Sequence, residues 1–374
     1  MTIPRTLTVL VLASALGASC SSGAQNPDAP VDDTAQSDLA GGVDRQDPDD
    51  TFVVPTENYE PVAESLDSPW SLTWWGDTGV VSSRDTAEIL EVLPDGSTRV
   101  MGIVDGVVHG GEGGLLGLAV SPGKQLFAYS TGQEGNRVDR FIVEGEAGSL
   151  SIVHDAVIVD QIPAGRTHNG GRIAFGPDDM LYVATGDAGN PDTAQDPASL
   201  AGKILRMTVD GEPAPDNPEP DSLVYSLGHR NVQGITWAQD GTMFATEFGQ
   251  STWDELNEIT PGGNYGWPQV EGIAQEEGFI DPVQQWEPAD ASPSGVAYAD
   301  GSLLIANLRG QRLTVVPVDS LGDSSEFFVG EFGRLRDVVA TPDGGVWLMT
   351  NNTDGRGNPG DGDDRILELS LSTP

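Results

Sequence analysis

The sequence predicts an all-β protein folded as a six-bladed β-propeller, and three observations support that prediction. The chain of 374 residues contains 48 glycines and 26 prolines, which is typical of a turn-dense β architecture and too many for a helical protein of this size. No long amphipathic helix can be traced along it. A β-like run, a turn of the Pro-Asp-Gly kind and a second β-like run recur along the chain.

The recurring unit has alternating apolar positions, as in Leu181 and Val183, and Asp-Gly turns that close hairpins. Successive units are spaced roughly 40 to 65 residues apart, the scale of a propeller blade. The units lie at 72–82, 118–129, 173–184, 235–246, 296–306 and 338–349. A pair of β-sandwiches is the alternative fold, but it explains only the density of turns.

The first 20 residues are predicted to be a lipoprotein signal peptide. Arg5 precedes an apolar run, Leu7 to Ala18, that is too short to remain as a spanning helix. The small residues before Cys20 resemble a bacterial lipobox, with the leucine one place further upstream than usual. We expect lipidation of Cys20 and anchoring on the outer side of the bacterial cytoplasmic membrane, periplasmic or at the cell surface. Ordinary cleavage and secretion is the alternative.

Residues 21–60 are predicted to be a disordered acidic linker, and residues 61–374 the propeller domain. The linker sequence is rich in Asp, Pro, Ala, Gly, Gln and Ser, with few apolar residues. Such a segment cannot bury enough surface to offset the entropy lost on ordering. It would hold the folded domain away from a membrane surface.

The charge of the chain excludes two classes of partner. Eighteen basic and 58 acidic residues give a net charge of −40. A surface of this sign repels nucleic acid and anionic lipid headgroups, so we expect neither as a partner except for a lipid anchor. The single cysteine excludes an internal disulfide and a Cys-rich zinc site.

A loop from Arg166 to Arg172 carries the first candidate catalytic residue. His168 lies there among small and polar residues, directly before the strand-like run Ile173–Phe175. A loop imidazole suits proton transfer near neutral pH, although a loop histidine without a role is the common alternative. Propeller loops converge at one mouth of a central channel, so distant residues could join His168 there.

Eight short blocks of glycine, polar and charged residues follow one another from about Ser68 to the C-terminus. They are Gly111–Gly117, His168–Arg172, Gly186–Asp187, Leu200–Arg206, Gly228–Asn231, Asp254–Asn257, Gly262–Pro268 and Arg334–Asp337. In this order they resemble the glucose/sorbosone dehydrogenase family, the soluble quinoprotein glucose dehydrogenases and aldose sugar dehydrogenases that use pyrroloquinoline quinone (PQQ). The resemblance also implies a six-bladed propeller.

The resemblance implies that His168 is the general base and that Asp187 orients it. A sugar hydroxyl must lose its proton as hydride leaves the same carbon, and a neutral imidazole can take that proton. A neighbouring carboxylate fixes the tautomer of the imidazole and raises its basicity. A turn aspartate after a strand is the alternative interpretation of Asp187.

The resemblance also implies a PQQ site. PQQ carries three carboxylates and an ortho-quinone, so it needs cations around its rim. Arg230 matches a residue that contacts the quinone side and assists catalysis, and Asn231 supplies a neutral hydrogen bond. Arg334 and Arg336, two apart on an extended segment, point the same way and can clamp carboxylates. Arg309 lies where family members place Lys or Arg.

Calcium is implied in the same way. The backbone carbonyls of Gly249 and Gln250 match those that bind the ion beside PQQ in the family. Hard oxygen ligands of this kind suit Ca²⁺. Asp254, Glu255 and the Tyr265 carbonyl match a second, structural calcium site. A solvated acidic turn is the alternative for Asp254 and Glu255. Family members often carry a proline at the position of Gln250.

Three further positions bear on the ligands. Glu112 matches a cofactor-side position that is an amide in glucose-oxidising members, and Thr167 replaces an acidic residue that helps hold sugar in some relatives. Both departures weaken the expectation of glucose itself as the substrate. Trp286 matches an aromatic residue that walls the cofactor and substrate cleft, with a propeller-core tryptophan as the alternative.

The predicted function is PQQ- and calcium-dependent oxidation of aldoses at the anomeric carbon to lactones. Without a haem attachment motif, electrons must pass to an external acceptor. A non-catalytic calcium-binding propeller that binds sugar or a partner protein is the first alternative. A propeller lactonase is the second, but the sequence offers no evident ring of carboxylate and amide calcium ligands.

Overall fold

The structure is a computed structural model that describes residues 52–374. In that range the chain forms 24 β-strands and two short 3-10 helices. The strands make six four-stranded antiparallel sheets. The prediction of a six-bladed β-propeller is confirmed. The described residues contain no helix that is both long and apolar enough to cross a bilayer.

Each of the first three blades consists of four strands that follow one another along the chain. Blade 1 contains β2 (Pro69–Trp75), β3 (Thr78–Ser83), β4 (Glu88–Val92) and β5 (Thr98–Ile103). Blade 2 contains β6 (Leu115–Val120), β7 (Leu126–Gly132), β8 (Gly135–Glu144) and β9 (Ser151–Ile162). Blade 3 contains β10 (Ile173–Phe175), β11 (Leu181–Ala184), β12 (Lys203–Met207) and β13 (Val224–Leu227), with the 3-10 helix η1 (Pro191–Gln195) between β11 and β12.

The last three blades complete the ring. Blade 4 contains β14 (Val232–Trp237), β15 (Met243–Glu247), β16 (Asp254–Ile259) and β17 (Gln284–Trp286). Blade 5 contains β18 (Pro293–Ala299), β19 (Ser302–Asn307), β20 (Arg312–Pro317) and β21 (Ser325–Phe327), with η2 (Val318–Ser320) after β20. Blade 6 contains β22 (Leu335–Ala340), β23 (Val346–Thr350), β24 (Ile366–Ser372) and the first strand of the chain, β1 (Val54–Ala63).

All six hairpins predicted from the sequence are the first two strands of a blade, such as β10 and β11. The first strands of neighbouring blades contact one another around the axis. Alternating apolar residues pack between adjacent blades: Tyr182 and Ile204 of blade 3, for example, share a buried cluster with Ile235 of blade 4. The period-two pattern therefore fixes which face of each strand is buried.

The N-terminal strand closes the ring, and the predicted boundary of the linker is wrong there. Residues 54–60, assigned to the disordered linker, lie in β1, which pairs with β24. The segment is polar because an edge strand exposes much of its surface. It is ordered by the backbone ladder and by Tyr59, whose ring lies 4.8 Å from that of Phe332. The signal peptide, Cys20 and linker residues 21–51 lie outside the described residues.

The topology places one set of loops at one mouth of the propeller. In an antiparallel blade, the start of the first strand and the end of the second lie at the same edge. The segments that lead into β6, β10, β14 and β22, and the loops that follow β11, β15, β19 and β23, therefore surround the same end of the axis. His168, Asp187, Arg230 and Arg334 all lie in these segments.

A buried carboxylate ties three blades together near the axis. Asp337 of blade 6 is 1% exposed. Its Oδ2 accepts a hydrogen bond from the Leu72 amide of blade 1 at 2.8 Å and one from Arg172 Nη1, before blade 3, at 2.8 Å. The contact joins non-neighbouring blades across the ring and neutralises a guanidinium that is itself buried.

We expect Asp337→Ala to lower the free energy of unfolding by about 3–5 kcal/mol, because it leaves the Arg172 charge buried without its partner. Asp337→Asn keeps an acceptor for the Leu72 amide and should lose less. Urea denaturation at constant pH measures both values. A free energy of unfolding for Asp337→Ala equal to that of the wild type would show that the ion pair does not stabilise the ring.

Candidate active site

The backbone of His168 is held in an unusual conformation. Its φ is 57°, in the left-handed region, which costs free energy for a non-glycine residue. The His168 amide donates to Glu112 Oε2 at 2.8 Å, and its carbonyl accepts from the Ala188 amide at 3.0 Å. A Cβ on Gly186 would lie 1.9 Å from the His168 carbonyl oxygen, so only glycine fits there. These contacts fix the His168 backbone and therefore the position of the Cβ that carries the imidazole.

The imidazole of His168 forms a close pair with Asp187. Nδ1 lies 2.7 Å from Asp187 Oδ1, and the Asp187 side chain is fully buried. Burial alone would raise the pKa of Asp187, but the hydrogen bonds from His168, the Gly189 amide and Trp267 outweigh it and lower the pKa. An ionised Asp187 only accepts, so a neutral imidazole carries its proton on Nδ1 and leaves Nε2 as an acceptor.

A buried lysine organises the loop that carries Asp187. Lys203 is 0% exposed, and its Nζ donates to the carbonyls of Thr193, Ala194 and Ala201 at 2.8, 3.0 and 2.7 Å. All three ammonium hydrogens are therefore used. Burial lowers the pKa of Lys203 to about 8. The ammonium group therefore links η1 to the end of the β11–β12 loop.

Arg230 and Asn231 connect the dyad to the next blade. Both donate their backbone N–H groups to Glu247 Oε1. The Arg230 carbonyl accepts from the Asp187 amide at 2.8 Å, and Asn231 Oδ1 accepts from the Gly170 amide at 3.0 Å. The predicted base, its carboxylate and the predicted quinone-side arginine therefore share one hydrogen-bonded frame.

Two more arginines stack on a buried tryptophan at the axis. The guanidinium carbons of Arg336 and Arg172 lie 4.4 and 4.7 Å from the Trp70 ring centroid. Burial and the neighbouring charge of Arg172 lower the pKa of Arg336 well below its usual value. Arg334 lies beside them and pairs with Asp354 at 3.0 Å. The mouth of an acidic protein thus contains a concentrated group of cations.

Several of these arginines carry an N–H group that has no acceptor in the part of the chain that the structure describes. Among the described residues, one buried guanidinium nitrogen on each of four mouth arginines has no hydrogen-bond partner. These atoms are Arg172 Nη2, Arg230 Nε, Arg334 Nε and Arg336 Nε. A buried donor without an acceptor costs about 1–3 kcal/mol, and more when the group is charged. These N–H groups therefore lower the stability of the folded protein unless an anionic ligand supplies acceptors for them.

A narrow cleft opens at this cluster. It is lined by Trp70, Arg84, Glu112, Asn169, Gly170, Gln233, Phe248, Leu308, Arg334, Arg336, Asp354 and Arg356. Glu112 also accepts from both terminal nitrogens of Arg356 at 3.1 Å. Arg356 is half-exposed and lies at the rim. A larger groove of about 710 Å³ lies at the opposite end, where it contacts Asp240 and Asp319, and contains none of the predicted site residues.

Four predicted cofactor residues are absent from the cleft lining: Arg230 and Asn231, which lie in the frame of the dyad, and Arg309 and Trp286. Arg309 is exposed in the turn after β19, next to Leu308, and its side chain has no partner among residues 52–374. Trp286 lies on the outer strand of blade 4, where it packs against a buried cluster that includes Phe244 and Leu256. The contacts of Trp286 are those of a propeller-core tryptophan, the alternative left open by the sequence.

The predicted calcium loop has an internal scaffold that the sequence did not reveal. Glu271 Oε1 accepts the backbone amides of residues 250–253 at 2.6 to 3.3 Å. Burial opposes ionisation of Glu271, but these bonds outweigh it and lower its pKa. Within the described residues, neither the Gly249 nor the Gln250 carbonyl accepts a hydrogen bond. Because the amides of the loop point at Glu271, the carbonyls of Gly249 and Gln250 remain available to bind a cation.

The structure does not bring the carboxylates of Asp254 and Glu255 together. Asp254 accepts the amides of Gly249 and Ser292, at 2.8 and 2.7 Å, and burial raises its pKa to about 6. Glu255 accepts the Gly272 amide at 2.7 Å. Successive strand residues face opposite sides, which explains the separation.

Glu255 and Tyr265 instead flank a buried pair in blade 4. Glu255 lies opposite Glu247 in the β15–β16 register, and burial together with the charge of Glu247 raises the pKa of Glu255. Tyr265 stacks on His229 at 4.7 Å between ring centroids, and His229 Nδ1 lies 2.9 Å from Glu247 Oε2. No group of three His, Cys, Asp or Glu side chains in residues 52–374 is arranged to hold a metal ion.

Sequence reasoning missed several residues that build the site. Trp70, Gln233 and Asp354 line the cleft but lie outside the eight sequence blocks. Arg172 and Trp267 lie inside those blocks, but the sequence assigned neither of them a role. A buried polar residue inside an apolar strand, such as Gln233, was the available signal, because such groups need partners.

The fold and the site define a class: a β-propeller oxidoreductase with a histidine–carboxylate pair next to a cation-lined cleft, joined to it through the bond from the His168 amide to Glu112. The Glucose / Sorbosone dehydrogenase family model matches residues 66–358. The chain belongs to this glucose/sorbosone dehydrogenase family.

Individual relatives agree with the family model. The PQQ-bound aldose sugar dehydrogenase of Streptomyces coelicolor is 49% identical, with a TM-score of 0.81, over 86% of this chain and 98% of that one. Aldose sugar dehydrogenase YliI of Escherichia coli (strain K12) is 28% identical over 80% of this chain and 91% of its own length. Quinoprotein glucose dehydrogenase B of Acinetobacter calcoaceticus is 30% identical over 60% of this chain and 55% of its own length.

Removing the Glu271 carboxylate should loosen the predicted calcium loop. In Glu271→Ala we expect amide hydrogen exchange of residues 250–253 to accelerate at least about tenfold, because hydrogen bonds to a charged acceptor are lost. Asp281→Ala is the matched control, since Asp281 accepts the Ala274 and Gln275 amides in a neighbouring loop. Unchanged exchange in Glu271→Ala would show that the loop is held by other contacts.

Proposed function

We propose that this chain oxidises aldose sugars at the anomeric carbon to lactones, with PQQ as its cofactor and an external acceptor for the electrons. Membership of the sugar dehydrogenase family supports the class of reaction, and the PQQ-bound relative supports the cofactor. The observation that carries the proposal is the His168–Asp187 pair beside buried arginine donors that lack acceptors.

The donors in the cleft fit the chemistry of PQQ. Arg334 and Arg336 offer buried N–H groups without protein acceptors, as three carboxylates on a planar ligand require. Arg230 and Asn231 lie on the dyad side, and exposed Arg309 would reach the cofactor only from the rim. When bound, PQQ accepts the hydride that leaves the anomeric carbon.

The proton is handled by residues of this chain. His168 Nε2, free as an acceptor in the neutral tautomer, takes the proton of the anomeric hydroxyl. Asp187 holds the opposite nitrogen at 2.7 Å and stabilises the imidazolium that forms. The Arg230 guanidinium lies over the Trp267 ring and would provide positive charge on the side of the dyad.

Calcium would bind through the loop after β15. The Gly249 and Gln250 carbonyls are free of hydrogen bonds within the described residues, and Glu271 fixes their loop. An ion held there would act as a Lewis acid and supply positive charge to the cofactor. The second calcium site proposed at Asp254, Glu255 and the Tyr265 carbonyl has less support, because the two carboxylates face apart.

The cleft must widen to admit a tricyclic ligand. The free space enclosed by its lining residues is about 20 Å³. Arg356 is 51% exposed, so its ion pair with Glu112 is screened by solvent and contributes little to stability. Movement of the Arg356 side chain would therefore open the cleft with little loss of stability. Glu112 departs from glucose-oxidising members and Thr167 from some relatives, and both departures weaken the case for glucose itself as the substrate.

We also propose that the enzyme is exported and held at the outer face of a bacterial membrane through Cys20. The proposal rests on the basic, apolar and small-residue pattern of residues 1–20. Labelling with a radioactive or clickable fatty acid, with Cys20→Ser as the control, tests it.

Reconstitution tests the reaction. The purified chain, supplied with PQQ and Ca²⁺, should reduce a dye acceptor in the presence of at least one sugar from an aldose panel. His168→Ala should lower kcat at least about 100-fold, the lower range for a general base. His154→Ala, on the outer strand of blade 2, should retain wild-type turnover. Turnover of His168→Ala at the wild-type rate would remove the proposed base.

The same experiment separates the alternatives. PQQ binding without turnover on any sugar would favour a propeller that only binds ligands. Hydrolysis of lactones without dye reduction would favour a lactonase, although residues 52–374 do not assemble a metal site from three acidic or histidine side chains.

A further inference from the structure

The indole of Trp267 contacts the proposed catalytic dyad. Trp267 is 8% exposed, and its Nε1–H donates to Asp187 Oδ2 at 2.9 Å. The other oxygen, Oδ1, lies 2.7 Å from His168 Nδ1 and accepts the Gly189 amide at 2.7 Å. The Trp267 donor is therefore the one side-chain hydrogen bond to the carboxylate oxygen that faces away from the base, among the described residues.

The same ring carries Arg230 on its π system. The Arg230 guanidinium carbon lies 5.4 Å from the Trp267 ring centroid, within the range of a cation–π interaction. One side chain thus touches both the carboxylate that orients the base and Arg230, whose carbonyl accepts a hydrogen bond from the Asp187 amide. The charged groups that face Asp187 are His168 directly and Arg230 across the indole.

The backbone of Trp267 is fixed from two sides. Its amide donates to the Gly228 carbonyl at 2.9 Å, and its carbonyl accepts from Gln195 Nε2 at 2.7 Å. Gln195 ends η1, in the loop that also carries Asp187. The indole therefore moves with the dyad rather than independently of it.

We propose that Trp267 is a positioning residue that tunes the His168–Asp187 pair through its N–H and orients Arg230 through its ring. The inference rests on the proposed function for its kinetic consequences, but not for its effect on the ionisation of Asp187. The two roles use different parts of the side chain, so different substitutions separate them.

Trp267→Phe removes the N–H and keeps an aromatic face. Without this donor, the negative charge of Asp187 interacts more strongly with the imidazole, and the stronger interaction favours the protonated form of His168. In the enzyme loaded with PQQ and Ca²⁺, kcat/KM should fall about three- to tenfold, the value of an ordinary hydrogen bond. The acidic limb of its pH profile should move to higher pH, while PQQ affinity stays at the wild-type value.

Trp267→Leu removes both the N–H and the ring. It should show the same shift of the acidic limb and, in addition, weaker binding of PQQ, because Arg230 loses its aromatic support. Trp237→Phe is the matched control: Trp237 packs on Tyr182 at 5.0 Å, away from the dyad, and its indole N–H has no partner among the described residues. This control should leave the pH profile unchanged.

A second readout needs neither cofactor nor activity. The Trp267 N–H bonds the ionised form of Asp187, whose pKa is lowered. Its contribution to stability is therefore present above the usual carboxyl range and is lost as pH falls through the lowered pKa. The melting temperature of Trp267→Phe should lie further below that of the wild type at pH 7 than at pH 3, whereas the deficit of Trp237→Phe should not depend on pH.

The outcomes are distinguishable. A wild-type chain that oxidises no aldose, combined with the expected pH-dependent stability deficit, would overturn the proposed function and keep the assignment of Trp267. A deficit that is equal at both pH values would overturn the assignment of Trp267, whatever the activity of the wild type. An unmoved acidic limb in an active Trp267→Phe enzyme would do the same.

Discussion

Positive charge buried at one mouth of the propeller is the constraint on which the site depends. Arg172 and Arg336 stack on Trp70, and the carboxylates of Asp337 and Asp354 pair with Arg172 and Arg334. Arg172 Nη2, Arg334 Nε and Arg336 Nε have no acceptor among the described residues. The chain has a net charge of −40 and therefore many carboxylates that could have paired with these arginines. Buried N–H groups that remain without an acceptor favour binding of an anionic ligand over a purely structural role for the arginines.

The propeller supplies what these cations need. Six closed blades bring loops that are far apart in sequence to one rim, where buried side chains such as Glu247 and Lys203 bond their backbone groups and set their positions. His168 is held by its own amide and carbonyl in a left-handed conformation, which Gly186 permits by lacking a Cβ. The strain at the base is thus offset by contacts from blades 2 and 3.

Much of the fold was predictable because each blade repeats one local pattern. Alternating apolar residues and Asp-Gly turns located every inner hairpin, and the eight sequence blocks placed His168, Asp187 and Arg230 at one mouth. The N-terminal strand was missed because an exposed edge strand has the composition of a linker. Adjacent residues of one strand face opposite sides of the sheet, so alternation alone separates Asp254 from Glu255. The role of Trp70 depends on Arg172 and Arg336, which are distant in sequence, and periodicity cannot reveal such partners.

Thermal unfolding with two forms of the cofactor tests the central claim most directly. PQQ and its uncharged trimethyl ester share the planar tricyclic quinone and differ in the three carboxylates. Because PQQ binds the native protein preferentially, the melting temperature of the protein should rise progressively with PQQ concentration. The ester should raise the melting temperature far less. Equal stabilisation by both compounds, or by neither, would contradict the view that the buried arginines await an anionic ligand.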